Sequence, residues 1–182
     1  GLIEEDAERL SRLIDDLLAL SQIESQATPP ALEVVRVAPL VESVVAELQP
    51  VIRRQDIDVA VDLPQDLTVQ ADPDRLRQVI ANLLDNAVKY NRPGGRVTVS
   101  ALRKDGWATV AVSDTGIGIP PQDLPRIFER FYRVDKARSR AQGGTGLGLS
   151  IVKHIVEAYG GGVSVRSELD RGSTFSFTLQ LS

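Results

Sequence analysis

The chain contains no cysteine and no methionine, and a single histidine among its 182 residues. Without cysteine there is neither a disulfide framework nor a thiolate metal centre, a usage that fits a reducing compartment. No apolar run approaches the roughly 20 residues a membrane-spanning helix needs, and no signal-peptide pattern is visible. A basic excess is also missing. Its 21 Lys+Arg against 25 Asp+Glu leave a formal net charge of −4, so the electrostatic footprint of a nucleic-acid binder is absent and any affinity for phosphate must come from local geometry. With no initiator methionine, and Gly1-Leu2-Ile3 running straight into a helical pattern, the chain reads as a piece of a longer protein. What is present suffices for a folded unit. A composition of 42% hydrophobic and 25% charged residues supports a buried core, and the length suits one ordinary domain plus a short extra element.

Periodicity divides the chain. From Leu2 to about Glu24, Ile3, Leu10, Leu13, Leu17 and Leu20, flanked by Ile14 and Leu18, form a wide heptad-like stripe that one helix cannot bury alone. It calls for helical partners in a bundle or dimer, or for folding back onto its own domain. Ser25 to Ala31, with Pro29-Pro30, reads as a linker. Glu33–Val37 is a predicted short strand and Ala38–Arg54 a helix. Ile57–Leu63 alternates apolar and polar residues as a half-wet strand does, and Leu67–Ala71 is another short strand. Asp72-Pro73 caps the clearest helix, whose Leu76, Val79, Ile80, Leu83, Leu84, Ala87 and Val88 follow the 3.6-residue period up to Asn91 and Pro93-Gly94-Gly95. Arg96–Leu102 and Ala108–Ser113 are strands joined near Asp105-Gly106. Asp114 to Gly148 is a long glycine- and charge-rich loop with a short helical piece near Leu124–Phe131. A helix over Leu149–Tyr159 and strands over Gly161–Glu168 and Ser173–Leu181 complete the series. Short turns near Gly106 and at Asp170-Arg171-Gly172 imply antiparallel pairing. The order predicts an α+β sandwich, a mixed sheet with helices on one face.

Four stretches carry polar residues that chemistry can use. Asp114-Thr115-Gly116-Ile117-Gly118 stands at a strand end. An ionised aspartate only accepts hydrogen bonds, which suits an exocyclic amine such as that of adenine better than a phosphate, although Asp-Thr-Gly is equally an Asx-type turn. Gly143-Gly144-Thr145-Gly146-Leu147-Gly148-Leu149 precedes a helix, where backbone N–H groups and the helix terminus attract an anion. It lacks the Gly-Lys-[Ser/Thr] of a P-loop and the G-x-G-x-x-G spacing of a dinucleotide site, and a plain flexible loop is the alternative. On the strong helix Asn82 and Asn86 share a face, with Lys89 and Tyr90 a turn further on. Neutral amide oxygens can complete the octahedron of a Mg²⁺ held by phosphates, or these residues simply mark the helix boundary. In Ile127-Phe128-Glu129-Arg130-Phe131-Tyr132-Arg133 the aromatics can clamp the loop while Arg130 and Arg133 face a phosphate, or the arginines can be solvated.

The order of these stretches, closed by Gly172-Ser173-Thr174-Phe175, resembles the ATP-binding domain of sensor histidine kinases, within the wider gyrase, heat-shock chaperone, histidine kinase and mismatch-repair ATPase superfamily. The likeness runs from about Glu33 to Ser182. The preceding Glu5–Glu24, with Arg9-Leu10, Leu13-Ile14, Asp16-Leu17-Leu18 and Leu20-Ser21-Gln22-Ile23-Glu24, is similar to the second helix of the dimerisation and histidine-phosphotransfer hairpin. The resemblance implies a Bergerat-type two-layer fold and a division into residues 1–25 (hairpin helix), 26–31 (linker) and 32–182 (catalytic domain).

It also implies roles. Asn86 ligates Mg²⁺, with Asn82 nearby; Lys89 contacts a phosphate and Tyr90 the nucleotide. Asp114 accepts from the adenine amine in a pocket shaped by Gly116, Gly118 and Ile119. Residues from Pro120 to Gly144 form a mobile lid from which Arg130 or Arg133 approaches the γ-phosphate. Gly144, Thr145, Gly146, Leu147 and Gly148 hold phosphates, and Thr174 lies near the base. Where hydrolytic relatives carry a glutamate one turn before the metal asparagine, this chain has Asn82, which is no general base near neutral pH, so transfer to a side chain is favoured over hydrolysis. His154 is followed by Ile155 instead of the acidic residue that follows the family's acceptor histidine, so it is a surface or half-buried helical residue and the acceptor lies elsewhere. The implied partners are ATP, an acceptor hairpin of the same or a second protomer, a cognate response regulator and, in the intact protein, a second copy. The implied place is the cytoplasm, whether or not the intact protein is anchored in the inner membrane. An ATP hydrolase, a serine kinase and a nucleotide-switched interaction module are the alternatives.

Overall fold

The computed structural model describes Ile14, residues 32–134 and residues 144–182. The heptad-like stripe and the Pro29-Pro30 linker therefore lie outside the described residues, apart from Ile14, which is helical and exposed. In chain order the elements are β1 (Glu33–Arg36), α1 (Val37–Arg54), β2 (Asp58–Asp62), β3 (Thr68–Ala71), α2 (Pro73–Lys89), β4 (Arg96–Lys104), β5 (Trp107–Asp114), a 3-10 turn (Leu124–Arg126), α3 (Gly148–Ala158), β6 (Val163–Glu168) and β7 (Gly172–Gln180).

Five strands form one sheet in the order β2-β4-β5-β7-β6. β2 runs parallel to β4, and the other pairs are antiparallel. Register places Val99 opposite Val112, Val112 opposite Phe175 and Val110 opposite Phe177, so these side chains share one face. That face is buried, whereas the alternate residues Thr98, Ser100, Thr109, Ser113, Ser176 and Thr178 point the other way and are only half-buried. The helices cover the apolar face: α2 packs against α1, α3 and β5, while α1 reaches β2 and α3 reaches β6 and β7. Val41, Leu76, Ile80, Leu84, Ile151, Val156 and Phe177 meet in one core. Truncating Ile80 or Leu84 to alanine costs about 2–5 kcal/mol, through lost transfer energy and the cavity left behind. β1 and β3 pair antiparallel in a second, two-stranded sheet, tied to the chain end by the Val69–Leu181 bridge. This is the predicted α+β sandwich with helices on one face. Among the described residues no helix is long and apolar enough to cross a membrane.

α2 begins where the sequence says it should. Asp72 Oδ1 accepts from the N–H groups of Asp74 (2.9 Å) and Arg75 (3.0 Å), and Pro73 occupies the first turn. The helical piece near Leu124–Phe131 is shorter and tighter than the sequence suggests. Bonds from Asp123 N to Pro120 O, Arg126 N to Asp123 O and Glu129 N to Arg126 O span three residues each, and Pro125 has no N–H to offer an α-helical pattern.

Candidate functional site

α2 buries Leu83, Leu84, Ala87 and Val88, which leaves Asn82, Asn86 and Lys89 on its flank at i, i+4 and i+7. They line a cavity of about 310 Å³ with Asp85 and Tyr90. Asp114, Ile117, Gly118 and Ile119 enter it from the end of β5. Ile127, Tyr132, Arg133 and Val134 come from the segment after the 3-10 turn, Gly144, Thr145, Gly146, Gly148 and Leu149 from the start of α3, and Ser173 and Phe175 from β7. Four separate motifs of the sequence thus converge on one hollow.

At one end the site is a closed fabric. Asp114 Oδ1 accepts from Gly116 N (2.8 Å) and Ser173 N (3.3 Å), and Oδ2 is left without a partner among the described residues. Burial pushes the Asp114 carboxyl above its ordinary value, and the two backbone N–H bonds pull against that. Gly116 does not line the cavity. It permits a close approach instead, since a Cβ there would stand 2.3 Å from Tyr90 O. Gly118 has φ +68°, and its Cβ would meet Glu168 O at 2.1 Å. Asp170 N donates to Ile117 O (2.8 Å), and Ile119 N donates to Ser167 Oγ (2.8 Å). The loop after β5 is thereby laced onto the β6–β7 turn. Phe128 and Phe175 meet edge to face at 6.3 Å beside it.

Thr174 is not brought into the cavity. It lies on the outer sheet face, its Oγ1 2.9 Å from Ser113 Oγ, and Ser173 occupies the place expected for it. The alternation of β7 carries this information: Phe175, Phe177 and Leu179 point inward, and Ser173 shares their parity. Asp85, Ile117, Leu149 and Phe175 also line the hollow without having been singled out, as does Tyr132, which was expected only to clamp the loop. Asp85 had a signal in its place beside Asn86, but the apolar residues had none that separates a pocket wall from core.

The other end is polar and unfinished. Nδ2 of Asn82 and Nε and Nη2 of Arg133 are buried without a hydrogen-bond partner. A buried orphan donor is costly and calls for an acceptor. α3 has Leu147 at its N-cap, no side-chain cap and no acidic residue in its first turn, so its terminal N–H groups are open to an anion. Gly148 lets that turn settle against Asn82, whose Oδ1 would be 3.3 Å from a Cβ there. Gly146 (φ +77°) passes under Phe131, which itself has φ +61° and donates from its N–H to Gly146 O (2.9 Å). Leu147 is fully buried, a packing residue whose N–H donates to Thr145 Oγ1 (3.2 Å). Lys89 Nζ stands 5.7 Å from the Tyr90 ring centroid.

The two arginines part company. Arg133 lines the hollow, whereas Arg130 Nη2 lies 3.2 Å from His154 Nε2 on α3. His154, half-buried as expected, has Nδ1 2.9 Å from Ser150 O, so Nδ1 carries the proton and Nε2 accepts from Arg130. Tyr132, next to Arg133, donates to Asp123 Oδ1 (2.5 Å), and Arg126 covers its ring at 4.4 Å, so the start of the segment is anchored.

Fold, convergent motifs and orphan donors make this hollow the candidate nucleotide site, and the comparisons give the family. Residues 71–182 match the family described as Histidine kinase-, DNA gyrase B-, and HSP90-like ATPase. The chain belongs to that family, as an ATP-binding catalytic domain of the sensor histidine kinase type. It is 38% identical over 179 residues to the sensor histidine kinase WalK of Bacillus subtilis, covering 97% of this chain and 29% of WalK. It is 40% identical over 174 residues to the sensor-like histidine kinase SenX3 of Mycobacterium tuberculosis, covering 96% of this chain and 42% of SenX3. The chain thus spans less than half the length of these relatives. Among solved structures, full-length ShkA in complex with AMPPNP superposes with a TM-score of 0.84 at 33% identity, covering 98% of this chain and 37% of that one. The catalytic domain of the histidine kinase ThkA gives a TM-score of 0.72 at 27% identity, covering 82% of this chain and 95% of that one.

Proposed function

We propose that this domain binds Mg·ATP with adenine at the Asp114 end and the phosphates between α2 and the start of α3, and that it passes the γ-phosphate to a histidine of an acceptor hairpin. The observation that carries the reading is the set of buried, unpartnered donors on Asn82 and Arg133, at the end of the hollow away from the Asp114 carboxylate. Donors without protein acceptors fit phosphate oxygens, and Arg133 suits the outermost group because its guanidinium presents several N–H donors to one anion. Lys89 adds charge on the same flank.

Magnesium would neutralise charge on the phosphates and hold them for in-line transfer. The residues present fit it. Among the described residues no group of three or more His, Cys, Asp and Glu side chains could hold a metal by itself, so the cation would take most of its oxygens from nucleotide and water, with Asn86 as a neutral protein ligand. Asn82 cannot take a proton from water near neutral pH, so the site is better made for transfer to an imidazole than for hydrolysis. In that transfer the bond from the γ-phosphorus to the bridging oxygen breaks, an N–P bond forms and ADP leaves. His154 does not serve as acceptor, because Nδ1 is held by Ser150 O on α3 and Nε2 by Arg130.

The same reading supplies the surroundings. On this reading residues 1–25 would belong to the phosphotransfer hairpin and 26–31 would link it to the catalytic domain. The hairpin dimerises in the intact protein and presents the acceptor from the same or the second protomer. A cognate response regulator receives the phosphate in the cytoplasm. Mixing the chain with a separately made acceptor hairpin and labelled ATP should yield a base-stable, acid-labile phosphohistidine. Acid-stable label, or steady phosphate release by the chain alone, would instead assign a serine kinase or a hydrolase. Tight ATP binding with no transfer to any hairpin would leave a nucleotide-switched interaction module.

A further inference from the structure

Ser167, on the edge strand β6, belongs to none of the motifs above, yet its hydroxyl is the most heavily used at the base end of the site. Ile119 N donates to Ser167 Oγ at 2.8 Å, Gly172 O lies at 2.9 Å and Ser173 Oγ at 2.9 Å. Proton counting decides the direction of each bond. A backbone N–H can only donate, a carbonyl can only accept, and a serine hydroxyl has one proton and two lone pairs. Satisfying all three contacts at once requires Ser167 to give its proton to Gly172 O and accept from Ile119 N. Its second lone pair must then accept the proton of Ser173. Every hydrogen-bonding position of Ser167 is filled.

The consequence falls on Ser173, which lines the hollow. Its hydroxyl proton is committed to Ser167 and its N–H to Asp114 Oδ1 (3.3 Å), so towards a ligand it has lone pairs only. Beside it, Asp114 Oδ2 is likewise an acceptor, because Oδ1 already serves Gly116 and Ser173. We propose that Ser167 is a positioning residue for nucleotide specificity: by consuming the Ser173 proton it keeps the base end of the cavity an acceptor-only surface, which selects a 6-aminopurine and rejects a 6-oxopurine. A 6-amino group brings two N–H donors to two acceptors. A 6-oxo group brings lone pairs against lone pairs. This rests on the reading that the base sits at the Asp114 end.

The test is calorimetric titration of the chain, in magnesium, with ATP and with inosine triphosphate. Wild type should prefer ATP. In Ser167→Ala the Ser173 hydroxyl is released to donate to a 6-oxo group, and the ATP-to-ITP affinity ratio should fall about tenfold, the scale of one hydrogen bond gained or lost. Ser167→Thr, which keeps the hydroxyl, should retain the ratio. In a Ser173→Ala background the Ser167→Ala change should shift the ratio no further, a result that a merely structural loosening does not produce. Equal weakening of both nucleotides by Ser167→Ala, or an unchanged ratio, overturns the proposal. If Ser167→Ala shows no cooperative melt, Ser173→Ala decides alone, since its ratio must also fall about tenfold and an unchanged ratio refutes the assignment. Wild type that binds neither nucleotide, or both alike, refutes the underlying placement of the base instead.

Discussion

The two ends of the cavity are finished to different degrees. Around Asp114, apart from its own Oδ2, polar atoms have found partners within the fold: Gly116 N, Ile119 N, Ser167, Ser173 and Asp170 N are all bonded, and Gly116 and Gly118 allow backbone approaches that no Cβ would tolerate. Around α2 and Arg133 the reverse holds, with three buried donor atoms lacking acceptors and an uncapped helix start. The Asp114 end is preorganised by folding, so a base bound there, as proposed, would meet a fixed pattern of acceptors. The α2–Arg133 end, where the proposed reading puts the phosphates, carries the cost of orphan donors in the free protein and would recover it when an anion arrives.

The contrast can be broken most forcefully at the proposed metal ligand. Asn86→Ala should lower Mg·ATP affinity about 100-fold while the melting curve stays put, since alanine suits a helix interior and no buried apolar side chain is lost. Chelating magnesium from the wild type should cause the same loss and leave the variant nearly indifferent. Equal responses to chelation would remove Asn86 from the metal.

A smaller effect, of about 30-fold, is expected from Asp114→Asn, which replaces half of the carboxylate's acceptor capacity by a donor. It should come with a pH signature. Burial holds the Asp114 carboxyl above its ordinary value, so wild-type ATP affinity should fall on acidification at a pH above that value, as the acceptor becomes a protonated acid. The variant should show no such step beyond that of the nucleotide itself. The same burial disfavours the ionised form in the folded chain, so ionised Asp114 lowers stability near neutral pH, and that penalty lifts as pH falls through its raised pKa.

The smallest effect sharpens the comparison most. Arg133→Met should weaken ATP about tenfold while sparing ADP, and should stabilise the nucleotide-free chain by about 1 kcal/mol, because two buried orphan donors are replaced by apolar atoms. Calorimetry with both nucleotides and a melt without either would check the pair of outcomes. A variant less stable than wild type without nucleotide would mean that the phosphate end is as complete as the base end.

Local rules made much of the scaffold legible. α2 could be read from its Asp72-Pro73 start and its apolar period, and the β4–β5 and β6–β7 hairpins from alternation interrupted at Asp105-Gly106 and Asp170-Arg171-Gly172. These are signals within a few residues of chain. The site was legible as a set of motifs, but not in its details. Ser173 instead of Thr174 facing the hollow was within reach of strand parity. Arg130 turning to His154 while Arg133 enters the cavity was not, because the choice depends on where α3 lies relative to the segment after Leu124–Arg126. Ser167 was invisible for a similar reason: a serine on an edge strand looks like a solvated hydroxyl until the loop after β5 is seen docked on it.

By itself the sequence determined what each segment is. Apolar periods, caps and turn residues act over one or two helical turns or a hairpin, and they left little freedom in the α+β order or in which stretches could meet a nucleotide. Only the tertiary structure decided which polar atoms would be satisfied by the fold and which left bare for a ligand. That partition depends on the approach of segments far apart in the chain: Ile119 to Ser167, Asp114 to Ser173, Asn82 to Gly148. Hydrogen bonding is short-ranged and directional, so a few tenths of an ångström in such approaches separate a closed network from an open site.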